Sequence, residues 1–294
     1  MRKEDLNIMA SVSLIENLKA DLISIIGDLF KDQERVRVMG YNASVLSIGT
    51  ASFPALGGML ASFDWHYVFF LPGLVLPLAF LVLWKLQIPA SRNNASLKTY
   101  LGNVWKIINQ KTVLGLFLVN IMVFIILYGA YLSFFPLLME ARFHANALLI
   151  GLFMSIMSLT TALFSSRLSW ARKKFATKTL LYVSALFYAL SLILMSFASG
   201  WILLIVAIIF FGVGHGFFIP NIQTAFVGLA PVSERAAFMS INSMILRIGQ
   251  TLGPIVAALF YIQQSLKPVF LLSAGIALLM IIIVWILVGD LDKP

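Results

Sequence analysis

The sequence predicts an all-α, polytopic membrane protein, and three observations carry that reading. Uncharged, mostly apolar runs of about 20 residues recur along the chain, each long enough to cross a bilayer core as a helix. Lys and Arg gather in alternate loops. Glycine and proline sit inside apolar runs, as in MGYNASVLSIGTASFPALGGML. A water-exposed helix would lose roughly 1 kcal/mol per Gly and about 3 for Pro there, whereas in lipid small residues let neighbouring helices approach closely. The 294 residues are 61% hydrophobic and only 11% charged, with a mean hydropathy of +0.96, against about 25% charged in a soluble domain. The chain has no cysteine, which excludes a disulfide scaffold, thiol chemistry and cysteine-ligated zinc or iron–sulfur sites.

Residues 1–30 are helix-compatible, but Glu16, Lys19 and Asp21 fall in their middle. Each such charge costs about 2.5–3.5 kcal/mol at the centre of a lipid-exposed span. The stretch near residues 8–29 therefore reads as a partial ninth span or an interfacial helix. No apolar core follows the first Met, so it is not a signal peptide. Val38–Phe63 is the first full span. Tyr67–Trp84 follows, with Pro72 and Pro77 inside it. Residues 85–111 form a polar, basic loop. Thr112–Met139 and Ala145–Ser166 are long uncharged runs. No Lys, Arg, Asp or Glu occurs from Thr179 to Ser233, room for two spans with a break at Phe197-Ala198-Ser199-Gly200. Ala236–Ile262 is interrupted only by Arg247, and Val269–Gly289 closes a set of eight spans.

Loop charge fixes orientation. One face takes Lys31, Arg35 and Arg37, the basic loop from Lys85 to Lys111, Arg167, Arg172 to Lys174, Lys178, Arg235 and Lys293; the other has Arg142 and Lys267. The first face is expected to be cytoplasmic, and with it the C-terminus. Loops facing anionic lipid then account for the net charge of +9 without nucleic acid.

An offset of 200 residues reveals an internal repeat. Glu34-Arg35 matches Glu234-Arg235, and Met39, Asn42, Leu46, Ile48, Gly49 and Pro54 match Met239, Asn242, Leu246, Ile248, Gly249 and Pro254. Both copies run in the same direction. Parallel six-helix repeats about an axis along the membrane normal are a pattern of secondary transporters.

Here the chain resembles the major facilitator superfamily. Gly40, Gly49, Pro54, Gly57 and Gly58 resemble the antiporter motif of its drug:proton exporters, which marks helix five; Phe53 stands where Gly is usual. The second copy keeps Gly249, Gly253 and Pro254 but has Ser240 for the first glycine. IIGDLFKDQERVRVMG resembles the family's turn between helices four and five. SSRLSWARKKFATK lies where the family has a basic signature between helices eight and nine, without its usual Gly and Asp. The resemblance implies a remnant of helix four in 1–30, the rest of an N-terminal bundle in 31–84, a cytoplasmic central loop in 85–111 and a C-terminal six-helix bundle in 112–294. It implies that helices one to three lie outside the chain, so that a missing N-terminal fragment would complete it. It implies proton-coupled export of small amphipathic compounds by alternating access, in a bacterial inner or plasma membrane, with no cofactor. Export of sugars, siderophores or other metabolites is the alternative substrate class, and a non-transporting membrane partner or regulatory fragment is the alternative role.

The motif glycines and Pro54 either shape a bent helix that seals the transport path or simply permit close packing. Arg247 lies about 16 Å into its span, near the midplane. It is either functional and partnered or snorkelling to the edge, and no acid in the spans offers itself as partner. His215, in GVGHGFFIPN, is a proton-responsive or substrate-contacting group or an interhelical hydrogen-bonding one. Asn120, Asn221, Gln223, Asn242 and Gln250 should face the protein interior. Tyr128, Tyr131 and Phe134 to Pro136, with Met154 and Met157, either line an apolar cavity or pack. Glu140 and Arg142 read as solvated loop charges. No hydrolase, zinc-protease or phosphate-loop motif occurs, so the chain is not expected to be an enzyme.

Overall fold

The computed structural model describes residues 26, 30–67, 105–231, 235–261, 265–289 and 291. The predicted Tyr67–Trp84 span, nearly all of residues 1–30 and most of the central loop lie outside them. The described helices are α1 (Asp32–Phe63), α2 (Lys111–Phe143), α3 (Ala147–Ser166), α4 (Leu168–Lys174), α5 (Thr177–Phe197), α6 (Trp201–Leu229), α7 (Arg235–Leu259) and α8 (Lys267–Leu287). Six of these, all but α4 and α7, are long and apolar enough to cross a membrane.

Among the described residues, six of the eight expected spans thus have the length and apolarity to cross a membrane. Ala236–Ile262 forms α7, but this helix falls short of the apolarity of the other six. Ser240, Ser243, Arg247 and Gln250 recur at helical spacing along it. A polar stripe on a helix among membrane-crossing helices must face protein or water rather than lipid.

α1 packs on α3, α7 on α2, α8 on α5 and α2, and α6 against both α3 and α5. Small residues set these approaches. A Cβ at Gly212 would meet Met157 O on α3 at 2.7 Å, and one at Gly216 would meet Thr161 O at 2.8 Å. Gly214 approaches the α5 backbone, with Ser184 O 3.0 Å from the same imagined atom. Two glycines of GVGHG thus face one neighbour and the third faces another, leaving His215 for a further side.

Two prolines interrupt helices without ending them. Pro220 has no N–H to give the carbonyl of Gly216, and Ser165 of α3 donates its hydroxyl to that oxygen instead, at 3.0 Å. In α2, residues Leu127–Phe134 widen into a π-helical turn just before Pro136, where the ladder lacks a donor. Ser133 donates to the carbonyl of Tyr128 at 2.7 Å within it. Arg142 is exposed, as expected of a loop charge. Its guanidinium also donates to Ser196 O (3.3 Å) and Ala198 O (2.9 Å), closing the C-terminus of α5. At the other end Lys178 does the same for α8, through Val288 O at 2.6 Å.

A cavity between the two repeats as candidate functional site

α1 is held to α3 by a small-residue seam. Ser44 donates to Ala162 O at 2.8 Å, and Ser155 returns a bond to Ala51 O at 2.6 Å. Gly40 and Gly58 close the two ends: a Cβ there would stand 2.6 Å from Ser165 O and 2.5 Å from Ala147 O. Gly49 and Gly57 meet nothing within 4 Å among the described residues. The glycines of the motif therefore divide into two that the seam needs and two that it does not. Gly40→Ala and Gly58→Ala should each lower the thermal midpoint of the purified chain. Gly49→Ala and Gly57→Ala should leave it level or raise it, since Ala is about 1 kcal/mol better in a helix. Equal losses at all four would show that the seam is not what the motif serves.

In the second copy, α7 lies against α2 through Gly249 and Gly253. A Cβ at Gly249 would meet Phe124 Cβ at 2.8 Å, and one at Gly253 would meet Gly129 N at 2.8 Å. Gly129 sits in the widened turn of α2, so two glycines face each other at this crossing. Pro254 lies inside α7, as Pro54 lies inside α1.

Between these pairs lies a cavity of about 270 Å³. α1 gives it Ala43, Leu46, Ser47 and Thr50; α7 gives it Ser243, Leu246, Arg247 and Gln250, among others. These are the same four positions of the two repeats, 200 residues apart. Phe124, Leu127 and Tyr128 of α2, Thr161 and Ser165 of α3, and His215, Ile219 and Gln223 of α6 complete the wall. Arg247 is the formally charged member of this set, and among the described residues no carboxylate lines it. Its guanidinium donates to Gln250 Oε1 one helical turn on, at 2.7 Å. The Tyr188 hydroxyl of α5 meets His215 Nδ1 at 2.6 Å from behind, which fixes the ring where it borders the cavity.

Tyr128, His215, Asn242, Arg247 and Gln250 thus come together as candidates. Four others do not line the cavity. Asn120 is buried behind it and donates to Asn242 Oδ1 at 2.9 Å, so it orients a wall residue. Tyr131 is 1% exposed and stacked on Phe135 and Phe211; Met154 packs against the same core. Asn221 is at the basic end, accepting from Arg172 at 2.9 Å and donating to Thr177 O at 3.0 Å. In three of these cases a polar or aromatic side chain found a protein partner, which its sequence context alone did not specify. Ser47, Thr50, Thr161 and Ser165 were missed. The repeat held the signal for two of them: Arg247 and Gln250 map onto Ser47 and Thr50.

A cavity walled by equivalent positions of two parallel repeats, among membrane-crossing helices, is the architecture of a carrier rather than of an enzyme. The family model of the Major Facilitator Superfamily matches residues 22–181 and 118–294, and the chain belongs to that superfamily. The family is one of transporters, not enzymes. Among curated proteins the chain is 25% identical over 262 residues to the Multidrug resistance protein MdtG of Escherichia coli O1:K1 / APEC and to that of Escherichia coli (strain K12 / DH10B). The alignment covers 84% of this chain and 62% of those proteins, so the chain spans less than two thirds of their length. Among solved structures, the human organic anion transporter MFSD10 (TETRAN) superposes with a TM-score of 0.66 at 17% identity, covering 89% of this chain and 66% of that one.

Proposed function

We propose that the chain serves secondary active transport, moving small amphipathic compounds out of the cell in exchange for protons by alternating access, with its C-terminus cytoplasmic. The observation that carries this reading is the cavity's wall: positions 43, 46, 47 and 50 of one repeat across from 243, 246, 247 and 250 of the other. A site shared between repeats is one that rocking of one bundle against the other opens to alternate sides. Leucine, phenylalanine and tyrosine surfaces suit an amphipath, and Asn242, Gln223 and Gln250 offer it hydrogen bonds. Arg247 places a positive charge in this wall, which favours neutral or anionic compounds over cations. His215 is the titratable group suited to couple the cycle to protons. The relatives' printed name, a multidrug resistance protein, agrees with export of drug-like compounds.

Ser47→Trp is the direct test, because it fills the cavity from α1 without touching α7. Binding of an amphipathic fluorescent dye to the purified chain, read by anisotropy, should weaken about tenfold, the loss of roughly 1.4 kcal/mol. Unchanged binding would remove the cavity from the mechanism. In everted vesicles, dye movement that persists after the proton gradient is collapsed would overturn the coupling.

A further inference from the structure

A second cavity, of about 810 Å³, opens at the end of the bundle where the basic loops gather. Arg35 of α1 and Arg172, Lys173 and Lys174 of α4 line it, with Asp32 as the acid among the described wall residues. Two of the cations are held in place by hydrogen bonds. Arg35 Nε donates to Phe30 O at 3.0 Å, and its guanidinium lies across Gly228 of α6, 3.9 Å from where a Cβ would stand. Arg172 donates to Asn221 Oδ1 at 2.9 Å.

Two long helices also begin at this cavity. Gln110 and Thr112 bring the N-terminus of α2 to it, and Ala176 and Thr177 bring that of α5. In neither helix does the N-cap side chain bond the first amides, and neither has an acid in its first turn. The positive ends of both helices are therefore left to act on whatever enters. Fixed cations and helix ends together make an anion receptor.

The rim indicates which anion. α4 buries Leu168 and Ala171 but leaves Trp170 55% exposed, and Phe175 after it is 48% exposed. The Lys174 ammonium sits over the Trp170 ring, 4.6 Å from its centre. An exposed tryptophan and a lysine on a short helix between two membrane-crossing helices are placed at the level of lipid headgroups. A soluble anion has no use for an apolar rim, and one phosphate would fill little of the volume.

We propose that this cavity binds the phosphate of an anionic phospholipid, with the acyl chains leaving past Trp170 and Phe175. The site is separate from the cavity between the repeats and does not depend on how that one works. The experiment uses the full chain, purified in detergent and offered phosphatidylglycerol, phosphatidylcholine or inorganic phosphate. Native mass spectra should retain phosphatidylglycerol roughly tenfold over phosphatidylcholine, and the paired change Lys173→Gln with Lys174→Gln should erase that preference. Arg167→Gln removes the same kind of charge from the same loop outside the cavity, and should preserve it. Loss of the preference in Arg167→Gln as well would mean diffuse attraction and overturn the site. Displacement of the lipid by millimolar inorganic phosphate would make it a soluble-anion site instead. If the paired variant does not fold, the wild-type chain decides: equal retention of the two lipids overturns the proposal.

Discussion

Gly216→Leu should be the most damaging single substitution in the described fold. Its Cβ alone would stand 2.8 Å from Thr161 O and 2.9 Å from Phe164 Cβ, both on α3, and neither can move without moving that helix. Overpacking of this kind costs about 1–3 kcal/mol. Pushing α3 away also breaks the Ser165 bond to Gly216 O, the bond that replaces the one Pro220 cannot make. A buried carbonyl without a partner adds roughly 1–3 kcal/mol more. The combined loss, about 3 kcal/mol or above, should appear as a large drop in the denaturant midpoint of the purified chain. Gly275→Leu on α8 is the control, since nothing lies within 4 Å of that position among the described residues. A similar loss in both would show that close packing of α6 on α3 is not the cause.

Arg247→Ala should have the largest effect on ligand binding. A hydrogen bond to a charged group is worth about 1.5–3 kcal/mol, so removal of the guanidinium should weaken an anionic naphthalene-sulfonate dye by roughly 30-fold. A cationic rhodamine should bind as well or better. Arg247→Lys should restore part of the anion affinity, because it keeps the charge but not the planar fork. Unchanged anion binding in Arg247→Ala would sink the assignment of charge preference. Loss of both dyes together would point to collapse of the α7 wall instead.

Much of the fold was legible because a bilayer demands long uncharged runs and the loops carry their charge on one side. The π-helical turn was not. Pro136 signalled a missing donor, but that Gly129 of the turn lies against Gly253 of α7 is a tertiary fact. The candidate site was half legible. Amides and an arginine inside apolar spans stand out because each needs a partner, but polarity alone does not say whether that partner is a ligand or another helix. Asn242 lines the cavity while Asn120, bonded to it, does not; the two looked alike in sequence. Serine and threonine gave no signal, because in apolar helices they bond carbonyls of their own helix, as Thr161 bonds Met157 O at 3.0 Å. Arg142 is exposed as a loop charge should be, but the sequence did not show that the end of α5 lies within reach of its guanidinium.

The two repeats match in backbone position but not in chemistry. Where α7 presents Arg247, α1 presents Ser47. In a rocking cycle an anionic cargo would be tethered to α7 by the stronger, charge-assisted bond and would touch α1 only through a hydroxyl. Under the proposed function, one half would act as the carrier arm and the other as the sliding door. Contacts to α1 would be made and broken each turn while the bond to α7 persists until release. A symmetric scaffold with one off-axis charge thus gains a handedness that the repeat itself lacks.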